Sequence, residues 1–468
     1  MNGRSDYNIL HSTGKQIAHA GPTWRHRGRL FVNSRKVDAV VIGAGAGGLC
    51  AAARLAHAGL YTVLVDDHDR LGGRASTEEI DGFKVNIGAI AIEFGGVFEE
   101  TFHTVGVPLY IRTPEPASSF FIDGRLIDVG RGGWSLLLGQ LTKQASRILE
   151  KFADARSGNL PDGRQSTEDW LKGYTSNATV HALFRNLCAA IFACNAAELP
   201  ARAFLTYFTS KGAFKKFGFC PEGTIGVWNS LATAVRRNGE VWLGTPATEI
   251  HAANGRVSGV TLLRDGKPMR IDTDLVVSNA GPKATVALAG ETAFPADYAA
   301  KVRNDLRPAA NIVINVASRE PLVDHPGIVT FGRTRRLCNM ANLSATCPEL
   351  APPGWHLYVA YAVPVPALGE FDSDAEVALA LTDLREQFSN FDQAKILSIR
   401  VMRDDWPAQR SCAGYDLPRE TGIEGLWCVG DAVKQYGNGG TQACAETAKI
   451  VTDAILAARP PVPQASRV

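Results

Sequence analysis

Val37-Asp38-Ala39-Val40-Val41-Ile42 is a short, mostly apolar run, and Gly43-x-Gly45-x-x-Gly48 follows it at once. Few patterns constrain a chain more. The run reads as a strand buried on both faces, as in a parallel sheet. The first glycine permits a tight turn, the second lets backbone approach a pyrophosphate, and the third allows a helix to pack closely on the strand. Leu49 to Ala58 reads as an alanine-rich helix closed by Gly59, and Tyr61 to Val65 as a second strand. Its crossover is right-handed. Asp66 ends that strand 23 positions after Gly43, where an acid accepts hydrogen bonds from ribose hydroxyls. Free N–H groups at the helix start face the phosphates. The unit predicts a dinucleotide site.

Composition narrows what surrounds it. The 468 residues exceed one simple core. With 49 Lys plus Arg against 47 Asp plus Glu, the net charge of +2 gives no basic footprint for nucleic acid. Nine cysteines with no C-x-x-C spacing read as free thiols of a reducing cytoplasm, and no metal site is legible. The longest apolar stretch, Ala39 to Ala56, is interrupted by Arg54, so no membrane-crossing helix is expected. Arg4, Lys15, Arg25, Arg27, Arg29, Arg35 and Lys36 stand against Asp6 in the first 36 residues. That segment lacks a signal-peptide core and reads as a disordered basic extension, with contact at a membrane surface left open.

Further along, Trp134 to Phe152 and His181 to Cys194 carry apolar residues at helical spacing, and Ser166 or Thr167 is placed to cap a helix before Trp170. Strand-like runs fill 240–280, with Asp265-Gly266 as a hairpin turn, and 311–365. Leu426 to Val429 is a strand, Gly430-Asp431 follows, and Thr441 to Leu456 is a helix.

Leu71-Gly72-Gly73-Arg74 comes shortly after Asp66, and with the fingerprint it resembles the flavoprotein clan of phytoene desaturases, monoamine and polyamine oxidases and protoporphyrinogen oxidase. Ile423 to Asp431 resembles the clan's C-terminal FAD motif, and Asp274 to Pro282 its desaturase branch. The resemblance covers about 37–457. It implies an α/β fold of two domains: a discontinuous Rossmann-like FAD domain (37–110, 221–300 and 400–457) and a substrate domain of mixed β-sheet and helices (111–220 and 301–399), with 458–468 as a tail. It also implies FAD as cofactor. Gly43, Gly45, Gly48, Gly73 and Arg74 would lie along the pyrophosphate, and Asp66 at the ribose. Ala247 would contact adenine, Gly430 and Asp431 the ribityl chain, and Gly440 and Thr441 the flavin pyrimidine at a helix N-terminus. Asn86 departs from the pattern, standing where the family has an acid.

The chemistry is less constrained. Amine oxidases of the clan place a lysine near flavin N5, and the comparable stretch Arg307 to Val316 holds none. The expected reaction is therefore loss of hydrogen from adjacent carbons of a small apolar substrate, a cyclic ketone, acid or polyene, with hydride passing to N5. Tyr436 is the candidate catalytic residue, with Trp406 as a second aromatic near the flavin. Arg335, Arg336 and Arg410 read as arginines of solvated loops before they read as carboxylate binders, and Cys412 as an inert thiol. Oxidation of a C–N bond and a non-catalytic binder on the same fold remain the rivals. The substrate, the oligomeric state and the acceptor, dioxygen or a quinone, stay open.

Overall fold

The computed structural model describes residues 9–11, 34–128, 133–209 and 216–459. Two sheets organise them. The first is five-stranded and wholly parallel, in the order Gly239–Trp242, Thr62–Val65, Ala39–Ile42, Val276–Ser278, Leu426–Cys428. Its central strands are buried at every position, and apolar except at Thr62 and Ser278, because both faces are covered. Ala39, Val41, Leu64 and Val277 pack on helices Ala46–His57, Val97–Val105, Thr224–Val235 and Gly440–Ala457. Val40, Ile42, Val63 and Val276 face a four-stranded sheet that includes Ala247–Ala253, Arg256–Arg264 and Lys267–Asp272. The hairpin between the last two turns on Asp265 and Gly266, at φ 50° and 73°. Two adjacent positive φ values are what a tight two-residue hairpin loop requires.

The second sheet has eight strands, in the order Ile9–His11, Lys395–Met402, Asn311–Ser318, His356–Ala362, Leu337–Asn342, Ile328–Phe331, Ser118–Ile122, Arg125–Asp128. Alternate residues divide between two layers. Ile312, Ile314 and Val316 meet the helix Ser373–Gln387, while Val313 and Ala317 join the core of helices Ala145–Arg156, Ala178–Phe192 and Ala201–Thr209.

Three expectations change. The helical spacing over Trp134 to Phe152 resolves into two helices, Gly133–Leu141 and Ala145–Arg156. They part where Thr142 Oγ1 accepts from the Gln144 N–H at 3.2 Å, offering the backbone a turn instead. The basic extension is not wholly unstructured. Ile9–His11 adds a parallel edge strand to Lys395–Met402, and Ser34–Lys36 pairs with Lys267–Asp272; the rest of it, and the tail beyond Arg459, lie outside the described residues. The boundary at 400 falls inside Lys395–Met402, a strand of the large sheet. Ser166 does cap its helix, accepting from the Asp169 N–H at 3.0 Å. No described helix is long and apolar enough to cross a membrane.

Candidate active site

A cavity of about 2300 Å³ runs between the two sheets. One end is built by the parallel sheet. Gly43, at φ 96°, leaves the strand Ala39–Ile42 in a conformation that a side chain resists. Gly48 passes so close to the Gly43 carbonyl that a Cβ there would overlap its oxygen. That contact sets how near the helix Ala46–His57 lies to the strand. Asp66, 8% exposed, accepts from the Ala44 N–H at 2.5 Å and the His68 N–H at 2.8 Å, which holds its carboxylate at the cavity edge. His68 rests on Trp406 with ring centroids 4.6 Å apart, and Asp66 and Asp67 raise its pKa to about 9. Gly72 donates to the Ala44 carbonyl at 2.8 Å, so the Gly-Gly-Arg turn and the fingerprint turn form one surface.

Arg74 reaches across to the C-terminal motif. Its Nη1 and Nη2 donate to the two oxygens of Asp431 at 2.8 and 2.7 Å, and Nη1 also meets the carbonyls of Pro407 and Ala408. Burial alone would raise the Asp431 pKa; Arg74, Arg410 and Lys434 hold it well below the carboxylate range instead. Gly43, Gly45, Asp66, Gly73, Arg74, Ala247, Asp431, Gly440 and Thr441 all line the one cavity. Gly48 and Gly430 stand behind it. A Cβ on Gly430 would lie 2.6 Å from Asn279 Oδ1, and its N–H is taken by Thr447 Oγ1 at 2.8 Å. Asn279 is therefore a shared floor: its amide lies under Gly45, Gly47 and Gly430 at once. It belongs to the Asp274–Pro282 run.

The other end of the cavity is apolar, walled by Ile90, Phe120, Ile191, Ile328, Tyr361 and Met402. Tyr436 is not among its lining residues. Gly437, at φ 76°, turns the chain so that the Tyr436 ring lies 41% exposed, beside Gly414 and Arg202. Trp406 does line the cavity, but next to His68 and hence at the ribose end. At the apolar end, the polar side chains are ones the sequence did not single out. Tyr207 donates to Glu93 Oε1 at 3.0 Å, and Glu93 Oε2 lies 2.9 Å from where a Cβ on Gly440 would stand, at the start of the C-terminal helix. Burial and the Glu93 charge push the Tyr207 pKa well above its ordinary value. Asn311 Oδ1 and Gln409 Oε1 are buried acceptors with no partner among the described residues, and both residues line the cavity. The lysine on the cavity wall among the described residues is Lys283, which is exposed and 3.4 Å from Asp405.

The remaining candidates separate. Arg335 pairs with Asp383 and Glu386, and Arg336 with Glu376, so both are structural. Arg410, expected on a solvated loop, lines the cavity with its Nε buried. Cys412 is fully buried, its Sγ 3.1 Å from Cys194 Sγ. Asn86 donates to the Ala89 carbonyl at 2.9 Å, a bond that an acid could not supply.

Residues 46–456 match the family described as flavin containing amine oxidoreductase. The chain belongs to that family. It is 27% identical over 399 residues to a lycopene-forming phytoene desaturase of a Paracoccus strain, covering 72% of this chain and 76% of the relative. A crystal structure of an oxidoreductase from Methanosarcina mazei superposes with TM-score 0.79 at 27% identity, covering 89% of this chain and all of that one. A putrescine oxidase variant shares the fold, with TM-score 0.69 at 16% identity over 91% of this chain and 100% of that one. The protein is an FAD-dependent oxidoreductase.

The cavity fits that cofactor. At about 2300 Å³ it is more than twice the ~1,000 Å³ upper range of ordinary ligand sites. Glycine backbone, Asp66 and a helix start stand in sequence along its wall. Gly43, Gly45 and Gly73 would hold the diphosphate, Asp66 the ribose, Ala247 the adenine, Asp431 the ribityl chain, and Gly440 with Thr441 the pyrimidine.

Proposed function

We propose that the protein dehydrogenates a C–C bond of an apolar substrate held beyond the start of the C-terminal helix. One observation carries this reading: apolar side chains such as Ile90, Phe120, Ile191, Ile328 and Met402 surround a few polar groups there, and no lysine stands in Arg307–Val316. When bound, FAD supplies the two-electron acceptor. The chain's own task is to orient the substrate, exclude water and take up a proton. Glu93 is placed for the last of these, in the role first expected of Tyr436. Its carboxylate accepts the proton released from substrate carbon, while Tyr207 fixes its orientation. Asn311 and Gln409 offer acceptors that position a polar group on an otherwise apolar molecule. In this reading the parallel-sheet segments bind FAD and the large sheet with its helices binds substrate. The phytoene desaturase relative agrees in substrate character.

A second reading has one observation in its favour. Glu93 is a carboxylate inside the cavity that would attract a substrate ammonium and could take the proton that frees its lone pair. Anaerobic mixing of the FAD-loaded protein with matched apolar ketones, polyenes and amines separates the two. The expected product is two hydrogens lighter with any nitrogen retained, and release of ammonia or an amine overturns the C–C reading. Running the same reaction with dioxygen and with a quinone identifies the acceptor.

A further inference from the structure

Two guanidinium groups border the nucleotide end of the cavity, and their bonding differs. Arg74 spends its Nη donors on protein: the carbonyls of Pro407 and Ala408 and both oxygens of Asp431. Arg410 spends none. Among the described residues its side chain makes no hydrogen bond or ion pair, and its Nε is buried without a partner. Its position is nonetheless fixed. The Arg410 N–H donates to Asp431 Oδ2 at 2.8 Å, and its Cδ lies 2.5 Å from where a Cβ on Gly281 would stand. Any side chain at 281 would displace it.

The charges around Arg410 mark where it stands. Asp431, Asp67 and Asp66 attract its charge, while the neighbouring Arg74 repels it. Burial and that repulsion lower its pKa to about 10, which leaves it charged at neutral pH. A half-buried guanidinium beside a second guanidinium, with its Nε buried and unpartnered, is costly unless an anion arrives. Asp431 does not answer it: its oxygens accept from the Arg74 guanidinium and the Arg410 backbone N–H, and neither accepts from the Arg410 guanidinium. Between the residues that would hold the ribose and the ribityl chain, the FAD diphosphate is the anion to be placed. A guanidinium fork matches phosphate oxygens in geometry as well as charge.

We propose that Arg410 is the cation that meets the FAD diphosphate, and that Arg74, to which the Gly-Gly-Arg motif points, is the strut that holds Asp431. This rests on FAD as cofactor and is independent of the substrate. The test uses the full-length apoprotein with FAD, ADP and adenosine as probes, each titrated into wild type, Arg410→Gln, Arg410→Lys and Arg74→Gln. Arg410→Gln weakens FAD and ADP on the order of 10- to 100-fold, as expected for a lost charge-assisted hydrogen bond. Adenosine, which has no phosphate, binds it as it binds wild type. Arg410→Lys regains part of the ADP affinity, and the apoprotein melting temperature of Arg410→Gln does not fall. Arg74→Gln lowers that melting temperature. Equal weakening of ADP and adenosine in Arg410→Gln, unchanged ADP affinity, or a fall in its apoprotein melting temperature overturns the proposal.

Discussion

The two ends of the cavity are built on opposite plans. At the nucleotide end the backbone does the positioning, and the Gly43 turn, the Gly72 turn and the Asp66 carboxylate all lie within one short stretch of chain. At the substrate end the side chains come from scattered strands and helices. Glu93 is set by the pairing of Ile92–Glu93 with Phe217–Gly218, Tyr207 by the helix Ala201–Thr209, and Asn311 by the large sheet. The first plan leaves no room for a Cβ at Gly45, Gly48 or Gly72, while the second rests on side chains whose removal leaves the backbone unchanged.

That contrast can be broken from either side. Gly45→Val should have the largest effect. Its side chain would enter the cavity past Asn279, and FAD should be absent from purified protein while the far-ultraviolet spectrum stays native. Retained FAD would show that this end is more forgiving than its geometry says. Glu93→Gln should keep its FAD and lose turnover by about 10²- to 10⁴-fold, the range of general acid–base catalysis. A loss of FAD instead would move Glu93 from the chemistry to the cofactor.

Asp431→Asn should come next, costing about 3–5 kcal/mol in urea unfolding, because it leaves Arg74 unpaired with only 20% of its side chain exposed. The pH dependence has a definite sign. The folded pKa of Asp431 is depressed, so its contribution is present above the unfolded value and fades as pH falls below about 4. Asp431→Asn should flatten that acid limb. Deleting residues 1–12 removes the edge strand Ile9–His11 and should cost about 1 kcal/mol without changing FAD content. Tyr436→Phe should leave turnover unchanged, and a fall in turnover would bring Tyr436 back to the site.

The two plans also explain what the sequence could reveal. Gly43 to Asp66 is legible because its structure is local: strand, turn and helix follow from adjacent residues. Ser278 to Pro282 carried a signal for Asn279 through resemblance, though not its place beneath three glycines. Glu93 had none, since nothing near it in sequence tells that a distant pair of residues seals it beside Gly440. Tyr436 failed for a local reason that is visible only in three dimensions: the turn at Gly437 directs it away from the cavity. Arg410 failed because an arginine near prolines and acids reads as solvated, and burial depends on chain packed over it from elsewhere. The strand at Ile9–His11 escaped because three residues carry no periodicity.

The bond between Arg74 and Asp431 joins residues 357 positions apart. A ribosome that has finished the fingerprint, the ribose acid and the first helix has therefore made only half a pocket. The nascent chain must wait, without cofactor, until Gly430, Asp431 and the helix that starts at Gly440 emerge. A complete flavin site thus exists only once the helix Gly440–Ala457 has been made. A chain that stops before Gly430 would leave the Arg74 guanidinium without the carboxylate of Asp431.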